Sequence, residues 1–270
     1  MTIHRLVAPS IAAVSAVVIL AATPASAQVP SASNEPSASA RWSAAAVDPA
    51  RFVPGAIVAE AGAPLATSAG WGGYDGATRT PLVGATAEVR LGSRIIIGAG
   101  ATYAARNTEE PASVRPSVLA RGQILDQASH GIDLGVAVAY RQDRFVTEDG
   151  LFQGTVSAGL HGDVNAVLAS IGYGQDGEGD DHMGEARLIA LHRLAGALHV
   201  ALDGHAQWLL DSTDPHRVQH ATPSLEVTIA PAITYSVGPT VVMLEIGWSG
   251  VDVDRFHSGV LALGGVGTYF

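Results

Sequence analysis

The residues best placed to do chemistry together are Glu185, Arg187, Asp203, His205 and Glu226, three acids and an imidazole among them, in segments that alternate polar with apolar. Residues 194 to 196, Leu-Ala-Gly, read as a three-residue hairpin loop in which Gly196 is free to take the left-handed conformation. That loop sets Arg187 opposite Asp203 and Glu185 opposite His205, with Glu226 alongside on the next segment. Opposite charges on facing strands satisfy one another in an enclosed space. The same groups could also select solutes by charge or, as a His–acid pair, act as a general base. Catalysis further needs a nucleophile or a metal. Ser224 lies near the loop end of its segment, and His199, on the same face as Asp203 and His205, could join a metal site but as a lone lumen His reads as a pore-lining residue. Asp176, Glu178 and Asp180 have the one-three-five spacing of a calcium loop, but Asp181 stands where that loop needs Gly and Arg187 where it needs Glu. No catalytic residue, cofactor site or metal site is assigned, and the chain is not expected to be an enzyme.

The elements that position this cluster are strands. From about residue 60 the chain repeats one unit of about ten residues, alternating apolar with polar or small, followed by a break. About twelve such segments are expected, near 60–72, 82–91, 94–105, 114–126, 131–143, 150–162, 166–175, 183–193, 197–210, 222–236, 239–250 and 257–270. A tilted strand needs about 9–11 residues to cross a bilayer, and an even number returns both termini to one side. Breaks after even segments are brief and those after odd segments longer and polar, so one set of loops is expected outside the cell and one set of tight turns in the periplasm. In the fifth segment Ile132, Leu134, Val136, Val138 and Tyr140 share one face, and Asp133, Gly135, Ala137, Ala139 and Arg141 the other. The first face suits lipid and the second a wet lumen. Near the long-loop end of each odd segment stands one aromatic, Trp71, Tyr103, Tyr140, Tyr173, Trp208 or Trp248, expected to form an outward girdle at headgroup level.

The amino terminus has the order of a secretory signal. Arg5 precedes an apolar run over 6–22, and Ala25-Ser26-Ala27 offers a small-residue cleavage site, so residues 1–27 are expected to be removed. Residues 28–55 are rich in Ser, Ala and Pro and read as a flexible periplasmic lead-in, with a plug entering the barrel as the alternative; the barrel is assigned 56–270. Beyond the signal no run of eighteen apolar residues occurs although 47% of the chain is hydrophobic, which excludes a helical membrane protein. Cysteine is absent, so backbone pairing and burial must hold the fold. A formal charge of −10, with every basic residue an Arg, argues against a nucleic-acid partner.

The last fourteen residues, HSGVLALGGVGTYF, alternate and end on Tyr269-Phe270. This ending resembles the C-terminal strand of bacterial outer-membrane β-barrels, in which a terminal aromatic addresses the chain to the insertion machinery; Thr268 stands where such strands usually carry another aromatic. The resemblance implies an all-β, single antiparallel up-and-down transmembrane barrel in the outer membrane. Its partners would be outer-membrane lipid, lipopolysaccharide and the barrel-assembly machinery, and it is expected to be a monomer. The role expected is a pore for small solutes, with two alternatives: a non-conducting surface-binding or structural barrel, and a barrel-enclosed lipid hydrolase. Outer-membrane phospholipase A resembles the chain in strand number, but its His-x-Ser-Asn-Gly signature is absent; the nearest run is His161-Gly162-Asp163-Val164-Asn165.

Overall fold

The computed structural model describes residues 66–92, 94–106, 112–142, 150–162, 164–213, 223–238, 240–253 and 255–269. Twelve antiparallel strands form a closed ring: β1 (Ala66–Asp75), β2 (Thr80–Leu91), β3 (Ile95–Ala104), β4 (Ser113–Leu125), β5 (Asp133–Arg141), β6 (Leu151–His161), β7 (Asn165–Asp176), β8 (Asp181–Ala195), β9 (Leu198–Ser212), β10 (Leu225–Val237), β11 (Thr240–Asp252) and β12 (Phe256–Tyr269). Each strand pairs with its sequence neighbours, and β1 closes on β12 from Thr67↔Tyr269 to Asp75↔Leu261. Closure leaves no unpaired edge, which is what a sheet needs where no water can satisfy its backbone. Among the described residues no helix is long and apolar enough to cross a membrane.

The side chains sort by the pleat. Val138, Ile171, Leu188, Leu202, Ile229, Leu244 and Val260 point outward and are more than half exposed, whereas Glu88, Arg121, Arg141, Glu185, Arg187, Asp203 and Glu245 point inward and are buried. That is the inverse of a water-soluble core, and it places the apolar surface where lipid lies. The lumen is not uniformly polar, as the alternation had suggested. Trp71, Ala230, Leu261 and Leu263 pack with Leu82 inside the ring, Leu151 and Met183 pack with Leu209, and Ile189, Leu191 and Ala166 form a third cluster.

Several expectations change. The first strand, expected over 60–72, is described from Ala66 and runs on to Asp75, so only residues 76–79 connect it to β2 where a long loop was expected; residues 60–65 lie outside the described residues. That turn lies over the lumen face of β12: a Cβ on Gly259 would meet the backbone of Gly76 and Ala77. The connection between β4 and β5 is a short helix, α1 (Gln127–His130), rather than a plain turn; Asp126 caps its first turn by accepting from Ser129 N (2.9 Å), and Gly131 ends it in the left-handed region at φ 78°. The aromatic expectation fails for Trp71. It faces the lumen and is 5% exposed, lying between Gly84 on β2 and Gly265 on β12, its register partners on either side. The missing side chains at those two positions make the space that an indole fills, and a Cβ on Gly84 would collide with the ring. Tyr103, Tyr140, Tyr173, Trp208 and Trp248 occupy the outward face of their strands, Tyr173 half exposed. The signal at 1–27, the lead-in at 28–55 and Phe270 lie outside the described residues.

Candidate functional site: a charged belt in the lumen

The hairpin that was to set the register turns differently. Ala195 pairs with Leu198 around Gly196 and Ala197, Gly196 sits at φ 49°, and an irregularity follows between Arg193 and Ala195. The turn is thus two residues long, and the register shifts so that Arg187 stands opposite His205, Glu185 opposite Gln207 and Asp203 opposite Ile189. The expected partners Arg187 and Asp203 are therefore diagonal neighbours on one face, not directly opposed. A guanidinium is long enough for the diagonal. Arg187 Nε donates to Asp203 Oδ1 (3.0 Å) and Nη2 to Oδ2 (2.5 Å), a two-point fork on one carboxylate.

Glu185 has a different principal partner from the one the sequence suggested. Arg141, on β5, donates from Nη2 to Glu185 Oε2 (2.8 Å) and to Gln207 Oε1 (2.9 Å). Gln153, on β6, donates from Nε2 to the same Glu185 oxygen (2.8 Å). His205 Nε2 stands further off, 3.7 Å from it. Between β6 and β8 the strand β7 contributes Gly172, whose own Cβ would come within 2.8 Å of Gln153 Nε2 and 3.1 Å of Thr155 Oγ1. Glycine there is what lets Gln153 reach across from β6 to β8. Glu226 lies on the same face, opposite Gln207 in the register of β9 and β10, and is 8% exposed.

The belt therefore joins Arg141, Gln153, Glu185, Arg187, Asp203, His205, Gln207 and Glu226, on strands β5 to β10. Every one of these side chains is buried. A second pair stands apart on β2 and β4, where Arg121 Nη2 donates to Glu88 Oε2 (2.6 Å) with both side chains buried. A third polar group closes the terminal end of the same arc: Asp133 Oδ1 accepts from Gln123 Nε2 (2.9 Å) and Gln127 N (2.8 Å), while Oδ2 lies 3.0 Å from His161 Nε2.

Of the residues singled out in the sequence, Glu185, Arg187, Asp203, His205 and Glu226 come together. His199, also buried on the lumen face, pairs in register with Arg193 and Thr234. Ser224 stands two residues before Glu226 at the loop end of β10, where its hydroxyl donates to Asp252. Asp176 is the cap of its loop, its Oδ1 accepting from the backbone of Gly179 (2.7 Å), Asp180 (2.8 Å) and Asp181 (3.2 Å). Among the described residues no cluster of three or more His, Asp or Glu has the arrangement of a metal site. Sequence reasoning missed Arg141, Gln153 and Gln207 as members of the belt. Their inward faces were legible from alternation, but their meeting depends on the stagger between strands as the sheet closes.

No protein-family model and no curated protein matches the chain. Solved structures match in fold. The NanC porin superposes with a TM-score of 0.55 at 11% identity, covering 75% of this chain and 98% of that one. The KdgM porin superposes with a TM-score of 0.51 at 7% identity, covering 76% and 99%. The chain has the fold of the bacterial outer-membrane β-barrels.

Proposed function

We propose that the protein is an outer-membrane pore for small solutes, with selectivity set at the belt of Arg141, Glu185, Arg187 and Asp203. The observation that carries this reading is the convergence of opposite charges on one level of an enclosed lumen, in a fold whose solved neighbours include the NanC and KdgM porins. Charges ringing a narrow passage act on permeating ions through a low-dielectric wall, where their field is weakly screened. In this reading the protein resides in the outer membrane among lipid and lipopolysaccharide as a monomer, is inserted by the barrel-assembly machinery, and has no catalytic role.

The test is electrical. Full-length protein in planar bilayers is expected to conduct, and Asp203→Ala, which removes one carboxylate while leaving Arg187 in place, is expected to move the reversal potential in a salt gradient toward anion selectivity. Conductance with an unmoved reversal potential would mean that ions bypass Asp203. A second reading has one observation in its favour: Glu185 is 3% exposed and Gln207 2%, closer to a filled interior than to a water channel. On that reading the barrel is a non-conducting structural or surface-binding protein, and neither variant nor parent would pass current.

A further inference from the structure

The outward face of β7 and β8 changes character at its two ends. Between them it is apolar, with Val167, Ala169 and Ile171 on β7 and Ala186, Leu188 and Ala190 on β8. At the loop end stand Tyr173, Gln175 and His182, where the Tyr173 hydroxyl lies 2.5 Å from His182 Nδ1 and the two rings stack. At the turn end Asn165 and His192 are register partners, with Asn165 Oδ1 2.8 Å from His192 Nδ1. The eight steps from Asn165 to Tyr173 span about 27 Å along a strand, or about 20 Å of height at the tilt of a barrel strand. That is close to the band of about 25 Å that such barrels present to hydrocarbon, so the two polar pairs stand at the two headgroup levels.

A groove with a volume of about 420 Å³ opens on the surface at the turn end. Its lining is mostly apolar: Leu160 and Val167, which are register partners on the outward face, and Val164 in the turn, with Asn165 at the rim. Leu160, Val164 and Val167 are each between 44% and 54% exposed. The turn is held by its own backbone and by β8, since Gly162 N donates to Asn165 O (2.8 Å) and Arg193 N to Val164 O (2.8 Å). The groove is thus part of the folded hairpin.

Its place in the fold restricts what can cover it. The groove continues the outward apolar face, which acyl chains cover in a membrane, and it ends at a polar pair at headgroup level. With Oδ1 taken by the imidazole, the Asn165 amide nitrogen keeps two N–H donors, and His192 keeps its second ring nitrogen. A phosphate supplies the acceptors that amide donors need, and a diacyl chain supplies carbon for the groove. A purely polar solute or a bare hydrocarbon satisfies only one half. The short turns of this end place it on the periplasmic side, where the lipid is phospholipid rather than lipopolysaccharide.

We propose that the β6–β7 turn, with the Asn165–His192 pair, holds one glycerophospholipid of the periplasmic leaflet, its phosphate at the pair and an acyl chain in the groove along Leu160, Val164 and Val167. This needs the barrel and its orientation and does not depend on the pore reading. The experiment is native mass spectrometry on full-length protein folded in detergent, titrated with dioleoyl phosphatidylglycerol, or with dioleoylglycerol as the same chains without the phosphate. One phosphatidylglycerol per barrel is expected to survive removal of the detergent, and no dioleoylglycerol. Asn165→Leu is expected to weaken retention about tenfold, the effect of one hydrogen bond to a charged group. Val167→Trp, which fills the groove, is expected to abolish it, and His182→Leu, at the other headgroup level, to leave it unchanged. All three positions face outward, and heat-modifiable migration checks that each variant folds. Absence of a retained phosphatidylglycerol would overturn the proposal, as would equal retention of dioleoylglycerol, retention unchanged in Asn165→Leu and Val167→Trp, or a loss in His182→Leu as large as in Asn165→Leu. Lipid A retained as firmly as phosphatidylglycerol, and lost in the same variants, would assign the groove to lipopolysaccharide and overturn it too. Absence of current from the same preparation would count against the pore reading alone.

Discussion

The two walls of the lumen are built on different principles. From β5 to β9 the inward face carries Arg141, Gln153, Glu185, Arg187, Asp203 and Gln207, tied to one another across as many as three strands. From β12 through β1 to β2 it carries Leu261, Leu263, Trp71 and Leu82 among glycines, with Ala230 of β10 packed against them and with Asp75 and Glu88 as its buried charges. The second wall contains the seam, β1 against β12, the pairing with the largest sequence separation in the ring and so the longest loop to close. Strands that must meet last gain from small residues and non-directional burial, because neither demands a particular side-chain geometry at the moment of closure. The polar wall is made of sequence neighbours, and its pairs need the stagger of those strands to be right before they form. One wall closes the ring and the other specifies its interior.

That contrast can be broken at its strongest point first. Glu185→Ala removes the carboxylate that Arg141 and Gln153 share, inside a wall where the remaining charge has little water to turn to, and losses from breaking a buried pair run to about 3–5 kcal/mol. The fall is expected in the urea midpoint of the detergent-folded barrel, followed by loss of heat-modifiable migration. If the midpoint held, the lumen at Glu185 would be wet and the filled appearance of the belt misleading. Glu185→Gln, which keeps the shape and an acceptor, is expected to recover part of the loss.

On the apolar wall, Leu263→Ala deletes a side chain that is 2% exposed and packed with Trp71 and Leu261, a large-to-small change that costs about 2–4 kcal/mol in a tight interior. The contrast sharpens in kinetics. This variant is expected to slow the final folding phase in detergent, whereas Glu185→Ala is expected chiefly to speed unfolding. Equal effects on both rates would mean that the seam holds no special place in assembly.

How much of this was legible in the sequence follows the same division. The strands, the closed ring and the inward face of the polar wall follow from alternation, since Asp133 sits between Ile132 and Leu134, and Arg141, Gln153 and Asp203 each follow an outward apolar residue, Tyr140, Phe152 and Leu202. The seam wall gave no such sign. Around Trp71, β1 reads Ala-Thr-Ser-Ala-Gly-Trp-Gly-Gly, small on both faces, so period two does not say which way the indole points, and its place near a strand end suggested the outer girdle. Register was the other gap. A hairpin of two residues or of three reads alike in Leu-Ala-Gly, yet the choice slides Arg187 from facing Asp203 to facing His205. Arg141 and Glu185 are 44 residues apart and meet only because three inter-strand staggers add up. The pair Arg187 and Asp203 was reached through a mistaken register because a guanidinium spans either geometry.

The smallest effect is expected where the polar wall ends. At its terminal rim Asp126 caps α1 and pairs with Arg94 (3.4 Å), and hydrogen bonds from the Ser129 side chain and backbone, then the nearby His130 and Arg94, hold its carboxyl below the ordinary carboxylate range. A carboxyl whose folded pKa is depressed contributes stability that is present above its unfolded value, near 3.8, and is lost as pH falls through the folded value. The group lies at the rim with its side chain 16% exposed and bonded within the turn, so the helix responds and the barrel does not. Amide exchange at Ser129, corrected for its intrinsic pH dependence, is therefore expected to lose protection as the pH drops below about 3.8, while Val136 in mid-strand keeps its own. Asp126→Asn retains a capping oxygen that does not titrate in this range and is expected to flatten the response at Ser129. The same loss of protection in both proteins would show that it does not come from the Asp126 cap, and would overturn the reading of the rim as a solvated edge of the polar wall.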